Sequence, residues 1–65
     1  MKHFYFIENN TGEEFLVGAD NLSMATIIAE DVAFQISLNY GEISDLSYEY
    51  EMTDEEAEAS GLDEY

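Results

Sequence analysis

The chain begins with two short apolar runs that predict a β-hairpin. Residues 2–8 are rich in aromatic and β-branched side chains, which favour strands, and residues 13–18 (Glu-Glu-Phe-Leu-Val-Gly) form a second short β-like run. Between them lies the turn-like cluster 9–12 (Asn-Asn-Thr-Gly), in which Gly12 can supply the positive φ that such turns require. The first run is the more apolar on both of its faces, so we expect it to be the central strand of a sheet.

The next segment has the three- to four-residue period of a helix. It contains no proline or glycine between Met24 and Leu38, and we expect it to run to about Asn39 and to end at Gly41. Three residues can cap its N-terminus, namely Asp20, Asn21 and Ser23. One broad apolar face comprises Leu22, Ala25, Ile28, Ala29, Val32, Ala33 and Ile36. The small alanines on this face would let the helix lie close to a sheet.

A second, narrower apolar stripe occupies the other side of the same helix. It consists of Ile27, Phe34 and Leu38, at spacings of seven and four residues. A helix that covers one face of a small sheet needs only one apolar side. Three explanations remain open: the C-terminal segment folds over the stripe, two copies associate through it as a homodimer, or it receives a side chain of a partner.

From Ile43 onward the period changes to two residues, which predicts a third strand. The apolar positions are Leu46, Tyr48, Tyr50 and Met52, and they alternate with Asp45, Ser47, Glu49 and Glu51. A right-handed crossover past the central strand would place the third strand antiparallel to it. We therefore predict an α+β fold, in which residues 1–52 form a single ββαβ domain with an antiparallel sheet of order 2-1-3 packed on one helix.

Residues 53–65 are predicted to form a short acidic C-terminal helix or tail. Thr53 and Glu56 match the capping box, and Gly61 followed by Leu62 is typical of a helix end. So short a helix is marginal unless it docks on the rest of the domain.

Charge is the most unusual property of the chain. Sixteen acidic residues stand against one basic residue among 65, which gives a formal net charge of −15 at pH 7. Such self-repulsion raises the free energy of the compact state, and it favours binding to a strongly basic surface. Ten of the acids lie in the last 24 residues: Glu42, Asp45, Glu49, Glu51, Asp54, Glu55, Glu56, Glu58, Asp63 and Glu64. We expect them to form one continuous acidic face for a partner, because alternate residues of a strand project to the same side.

Other kinds of function find little support in the sequence. The chain has no cysteine, its one histidine lies at position 3, and no serine sits in a recognisable nucleophile motif, so we expect neither an enzyme nor a cofactor. Residues 54–65 lack the ligand spacing of an EF-hand, and we expect no dedicated metal site. Direct binding to nucleic acid or to an anionic membrane is disfavoured by like charge. We expect a cytoplasmic protein.

In size and composition, and in the acidic segment Tyr48-Glu49-Tyr50-Glu51-Met52-Thr53-Asp54-Glu55-Glu56, the chain resembles small acidic inhibitors encoded by phages and mobile elements. These proteins imitate nucleic acid, and they include anti-CRISPR proteins, anti-restriction proteins and inhibitors of uracil-DNA glycosylase. The resemblance rests on no specific motif. It implies an inhibitor that occupies the basic nucleic-acid-binding cleft of a target in a bacterial host cell, with a Cas nuclease as the preferred target. The alternative is a small self-associating adaptor or structural protein whose acidity serves solubility.

Overall fold

The sheet is the centre of the fold in the computed structural model, which describes residues 1–41 and 43–65 and the side chains of all of these except 39 and 40. The predicted site residue Glu42 therefore lies outside the described residues. The elements are β1 (Lys2–Glu8), β2 (Glu13–Ala19), α1 (Leu22–Tyr40), β3 (Leu46–Met52) and α2 (Asp54–Ser60).

The strand order is β2-β1-β3, and both neighbours of β1 run antiparallel to it. The hairpin pairs Lys2 with Ala19 and Glu8 with Glu13, and Gly12 takes a φ of 76° in its turn. The predicted α+β fold, its order of elements and the central position of β1 are thus confirmed.

The first helix packs on one face of this sheet through small residues. The Asn21 side chain caps α1 by accepting a hydrogen bond from the backbone N–H of Met24 at 2.9 Å, and Gly41 ends it with a φ of 71°. The alanines at positions 25, 29 and 33 are buried, as the apolar spacing predicts. Beneath α1 lie the buried side chains of the sheet, namely Phe4, Phe6, Phe15, Val17 and Ala19.

The second helix lies on the opposite face of the sheet. Ala57 and Leu62 line a cavity together with His3 and Leu16, whose positions alternate along the strands with residues that face α1. Residues 63–65 then run parallel to β2 and pair with its outer edge. The Leu16 N–H donates to the Asp63 carbonyl at 2.8 Å, and the Tyr65 N–H donates to the Leu16 carbonyl at 2.8 Å. The tail is therefore an ordered part of the fold, and the sheet lies between two helical layers.

This placement overturns one explanation of the second apolar stripe on α1. The C-terminal segment does not cover the stripe, because it crosses the other face of the sheet. Ile27, Phe34 and Leu38 are 69%, 54% and 61% exposed. Among the described residues, nothing packs over them.

A β-bulge in β3 overturns a second expectation. Tyr5 lies opposite Tyr50, but the next pair joins Phe6 to Tyr48, so Glu49 is left without a partner on β1. An inserted residue reverses the side to which the following side chains project. The predicted single apolar face of β3 is therefore wrong: its four residues divide between the two faces. Leu46 and Tyr48 lie on the α1 side, and Tyr50 and Met52 lie on the α2 side.

Candidate acidic interface

Nearly all of the acidic side chains are at the surface. Glu42 is not described, and of the other fifteen every one except Glu8 is exposed. The predicted acidic residues do not form one continuous row, however, because the bulge interrupts β3. Glu51 lies opposite Phe4 on the α1 side, whereas Glu49 sits at the bulge itself.

The acids expected at the interface instead form two groups. The first follows the β3 edge of the sheet and contains Asp45, Glu49 and Glu51. The second, which we call the α2–tail surface, contains Asp54, Glu55, Glu56, Glu58, Asp63 and Glu64. The prediction of one continuous acidic face is therefore wrong: the acids form one group along the β3 edge and a second group on α2 and the tail.

The N-terminus of α2 is held by the capping box that the sequence predicts. The Thr53 hydroxyl accepts from the Glu56 N–H at 3.1 Å, and the Glu56 carboxylate accepts from the Thr53 N–H at 3.0 Å. Three acidic residues in the first turn, Asp54, Glu55 and Glu56, lie at the positive end of the helix dipole, which offsets part of their mutual repulsion.

His3 joins α2 and the tail to the sheet. Its Nε2 lies 2.6 Å from a carboxylate oxygen of Asp54, and its Nδ1 is hydrogen-bonded to Glu64. A carboxylate accepts and does not donate, so both ring nitrogens must carry a proton for both bonds to form. The hydrogen bonds that His3 donates, to Glu64 first and then to Asp54, raise its pKa above the usual 6.5, although burial opposes them. Sequence reasoning missed this contact, since nothing in the order of residues reveals that positions 3, 54 and 64 meet.

Two tyrosines and a glutamate form a smaller cluster between β1, β2 and β3 on the same side. The ring centroids of Tyr5 and Tyr50 are 5.2 Å apart in an edge-to-face arrangement. The Tyr5 hydroxyl donates to the Glu14 carboxylate, and this bond, with help from burial, raises the pKa of Tyr5 to about 12.

Glu8 is the one described acid that is not available to a partner. It is fully buried on the α1 side of the sheet, at the end of the alternation of Phe4 and Phe6. Its two oxygens accept hydrogen bonds from the Thr11 N–H and hydroxyl and from the Asp45 N–H. Burial by itself would raise the pKa of Glu8, but these hydrogen bonds outweigh it and lower the pKa below its usual value. The sequence does contain a signal for the burial of Glu8: the two-residue period of β1 places it on the same face as Phe4 and Phe6.

The carboxylates of the α2–tail surface therefore differ in whether they already accept hydrogen bonds within the fold. Asp54 and Glu64 hold His3, and Glu56 closes the capping box. No hydrogen bond from the described part of the chain reaches the side chains of Glu55, Glu58 and Asp63. These three are the acids of this surface that a partner could engage without first breaking a contact within the fold.

The described residues contain neither a cluster of metal-ligating side chains nor a helix that could span a membrane. There, no group of three histidine, aspartate or glutamate side chains is arranged to hold a metal ion. Neither helix, over the same residues, is long and apolar enough to cross a membrane.

Comparison with known proteins gives no family for this chain. No family model matches it, and neither does any curated protein sequence or solved structure.

Proposed function

We propose that the protein is an inhibitor that imitates the charge of nucleic acid and occupies the basic nucleic-acid-binding cleft of another protein. The preferred target is a Cas nuclease or another host defence or DNA-processing enzyme, met in the cytoplasm of a bacterial host. The observation that carries this proposal is the α2–tail surface, where α2 and the paired tail hold six exposed carboxylates.

Rigidity is what separates such a surface from an acidic tail. The capping box, the His3 contacts and the pairing of residues 63–65 with β2 fix the backbone that carries these carboxylates before any partner binds. A partner then pays little conformational entropy to engage them. Glu55 and Glu58 lie one helical turn apart, which sets their Cβ atoms about 5–6 Å from each other. Arginine forks bind carboxylates bidentately, as they bind phosphates.

A pull-down from a bacterial lysate tests the proposal. We expect the immobilised protein to retain a nucleic-acid-binding protein at low salt and to release it at high salt, since attraction between opposite charges is screened. The retained protein is then identified, purified and offered labelled DNA or RNA. The proposal requires that the inhibitor and the nucleic acid compete for it.

Paired charge reversals locate the surface that binds. Glu55→Lys with Glu58→Lys changes the α2–tail surface without touching the groups that hold His3. Asp20→Lys with Glu30→Lys makes the same change in net charge away from this surface, at one residue before the N-cap of α1 and one residue within α1. We expect the first pair to weaken binding by about tenfold or more relative to the second pair. Equal weakening by both pairs would mean that only net charge matters and that this surface is not the site.

A second candidate function is favoured by the exposed stripe on α1. Three large apolar side chains in line, Ile27, Phe34 and Leu38, are unusual on the surface of so small a domain. Self-association through them would make the protein a dimeric adaptor, and its binding would resist salt. The two candidates are compatible, because the stripe lies on α1 and shares no residue with the α2–tail surface.

A further inference from the structure

A groove runs between α1 and the C-terminal tail, on the side of the fold away from α2. Its volume is about 420 Å³, and it is lined by Glu13, Asp31, Val32, Gln35, Ile36 and Tyr65. We call it the α1–tail groove. None of its carboxylates belongs to the acidic face expected from the sequence.

The floor of the groove is apolar and firmly placed. Val32 and Ile36 lie one turn apart on α1 and pack against the buried core. The Tyr65 ring contacts Phe15 edge-on, with centroids 5.8 Å apart. The backbone of Tyr65 is bonded to β2 on both sides, because its N–H donates to Leu16 and its carbonyl accepts from Gly18 at 2.9 Å. The aromatic ring is therefore held at the groove by the sheet itself.

The rim of the groove carries negative charge and hydrogen-bond acceptors. Glu13 and Asp31 are both exposed, and within the described part of the chain no cationic side chain pairs with either of them. The amide oxygen of Gln35 adds a neutral acceptor beside them. The groove thus combines an apolar floor, an aromatic ring and two unneutralised carboxylates.

We propose that the α1–tail groove binds an arginine side chain of a protein partner. The three methylene groups of arginine suit the Val32 and Ile36 floor, and its guanidinium can stack on the Tyr65 ring while it donates to Glu13 and Asp31. A bare metal ion does not suit the groove, because its floor offers no oxygen ligands. A second copy of this chain brings like charge to the same rim. This assignment deepens the proposed function and rests on it, since it takes the partner to be a basic protein.

A set of short blocked peptides tests the groove directly on the full chain. The probe is acetyl-Gly-Arg-Gly-amide, and its controls carry lysine or the uncharged isostere citrulline in place of arginine. Titrations followed by amide NMR shifts at about 0.15 M salt suppress long-range attraction. We expect saturable shifts at Asp31, Val32, Ile36 and Tyr65 with the arginine peptide, and affinity weaker by about tenfold or more for the citrulline peptide.

Variants then separate the groove from general acidity. Glu13→Gln with Asp31→Asn removes the rim charge, and Tyr65→Leu removes the ring but keeps apolar volume. Each is expected to weaken the arginine peptide by about fivefold to tenfold. The matched control, Asp20→Asn with Glu30→Gln, makes the same change in net charge outside the groove and is expected to leave the affinity within about twofold. Shifts that never saturate, that spread over all acidic segments or that are equal with lysine would overturn the proposal.

The peptide titration and the pull-down can fail separately, so their results distinguish the arginine site from the mimic function. If the peptide saturates the groove but no nucleic-acid-binding protein is retained from lysate, the mimic function fails and the arginine site stands. If such a protein is retained and competes with DNA while the peptide does not bind, the arginine site fails and the mimic function stands.

Discussion

Glu8 accepts a hydrogen bond from the backbone N–H of Asp45 at 2.7 Å and so joins the end of β1 to the chain that leads into β3. The same carboxylate also accepts hydrogen bonds from Thr11 in the hairpin turn. Glu8 therefore connects the β1–β2 turn to the segment that precedes β3. A buried charge is tolerated only where such bonds replace water. Glu8 is thus an acid of the scaffold, in a chain whose other described acids are at the surface.

Replacement of Glu8 by glutamine should therefore destabilise the fold. Glutamine keeps one acceptor but loses the charge that strengthens these bonds, and we expect a loss of roughly 1.5–3 kcal/mol in the free energy of unfolding. Urea denaturation measures it. Glu13→Gln, at the exposed position opposite Glu8 on β2, is the matched control and should change stability by less than about 0.5 kcal/mol.

The pH dependence of stability provides a separate check on Glu8. Its folded pKa is lowered below the usual value of 4.5, so its contribution to stability is present above pH 4.5 and is lost as the pH falls through the folded pKa. The acid-induced loss of stability should be smaller in Glu8→Gln than in the parent. Identical acid profiles for the two proteins would contradict this role.

His3 should show the opposite pH dependence. Its folded pKa is raised above 6.5, so its contribution is fully present below 6.5 and is lost as the pH rises through the folded pKa. Because His3 is the only histidine, its imidazole signal in a proton NMR titration is unambiguous. We expect Glu64→Gln to lower this pKa the most and Asp54→Asn to lower it less. Glu55→Gln, next to Asp54 on α2, is the control and should leave it almost unchanged.

The same titration tests whether His3 holds the α2–tail surface in place. As His3 loses its proton, one of its two carboxylate contacts must break, and hydrogen exchange of the amides in residues 54–65 should accelerate relative to that of β1. If hydrogen exchange in residues 54–65 does not change as His3 titrates, the capping box and the pairing with β2 are sufficient to hold the α2–tail surface in place.

Most of the fold follows from local signals in the sequence. The Asn-Asn-Thr-Gly turn, the alanine-rich face of α1 and the capping box at Thr53 each depend on residues a few positions apart, and each appears as expected. The bulge at Glu49 does not follow, because the alternation in β3 is regular and the shift arises only when that strand pairs with β1.

The site was harder to predict than the fold for the same physical reason. The acids of the α2–tail surface were identified from their density, but their division from the β3 edge depends on the bulge. The contacts of His3 with Asp54 and Glu64 join residues 51 and 61 positions apart. The pairing of the tail with β2 also needs a long-range backbone contact that no local pattern encodes.

Tyr5 and Glu14 offer a test of the side of the sheet that faces α2. The hydrogen bond to Glu14, followed by burial, raises the pKa of Tyr5 to about 12, so Glu14→Gln should lower that pKa towards 10.0. Stability from this bond is present below pH 10.0 and is lost as the pH rises towards the folded pKa. Carbon NMR of labelled tyrosine measures the titration. Glu13→Gln changes the neighbouring residue, which projects to the other face, and should leave Tyr5 unaffected.

The exposed stripe on α1 gives the test of self-association. If two copies bind through Ile27, Phe34 and Leu38, each dimer buries two Phe34 rings, and Phe34→Glu should weaken the dimer by more than about 100-fold because each ring contributes roughly 1.5–3 kcal/mol. Sedimentation equilibrium over a range of concentrations measures the change. Ala59→Glu adds the same charge at an exposed position of α2 and controls for repulsion alone. A folded Phe34→Glu protein with the mass distribution of the parent would remove the stripe from any interface between copies, and with it the observation that favours the adaptor function.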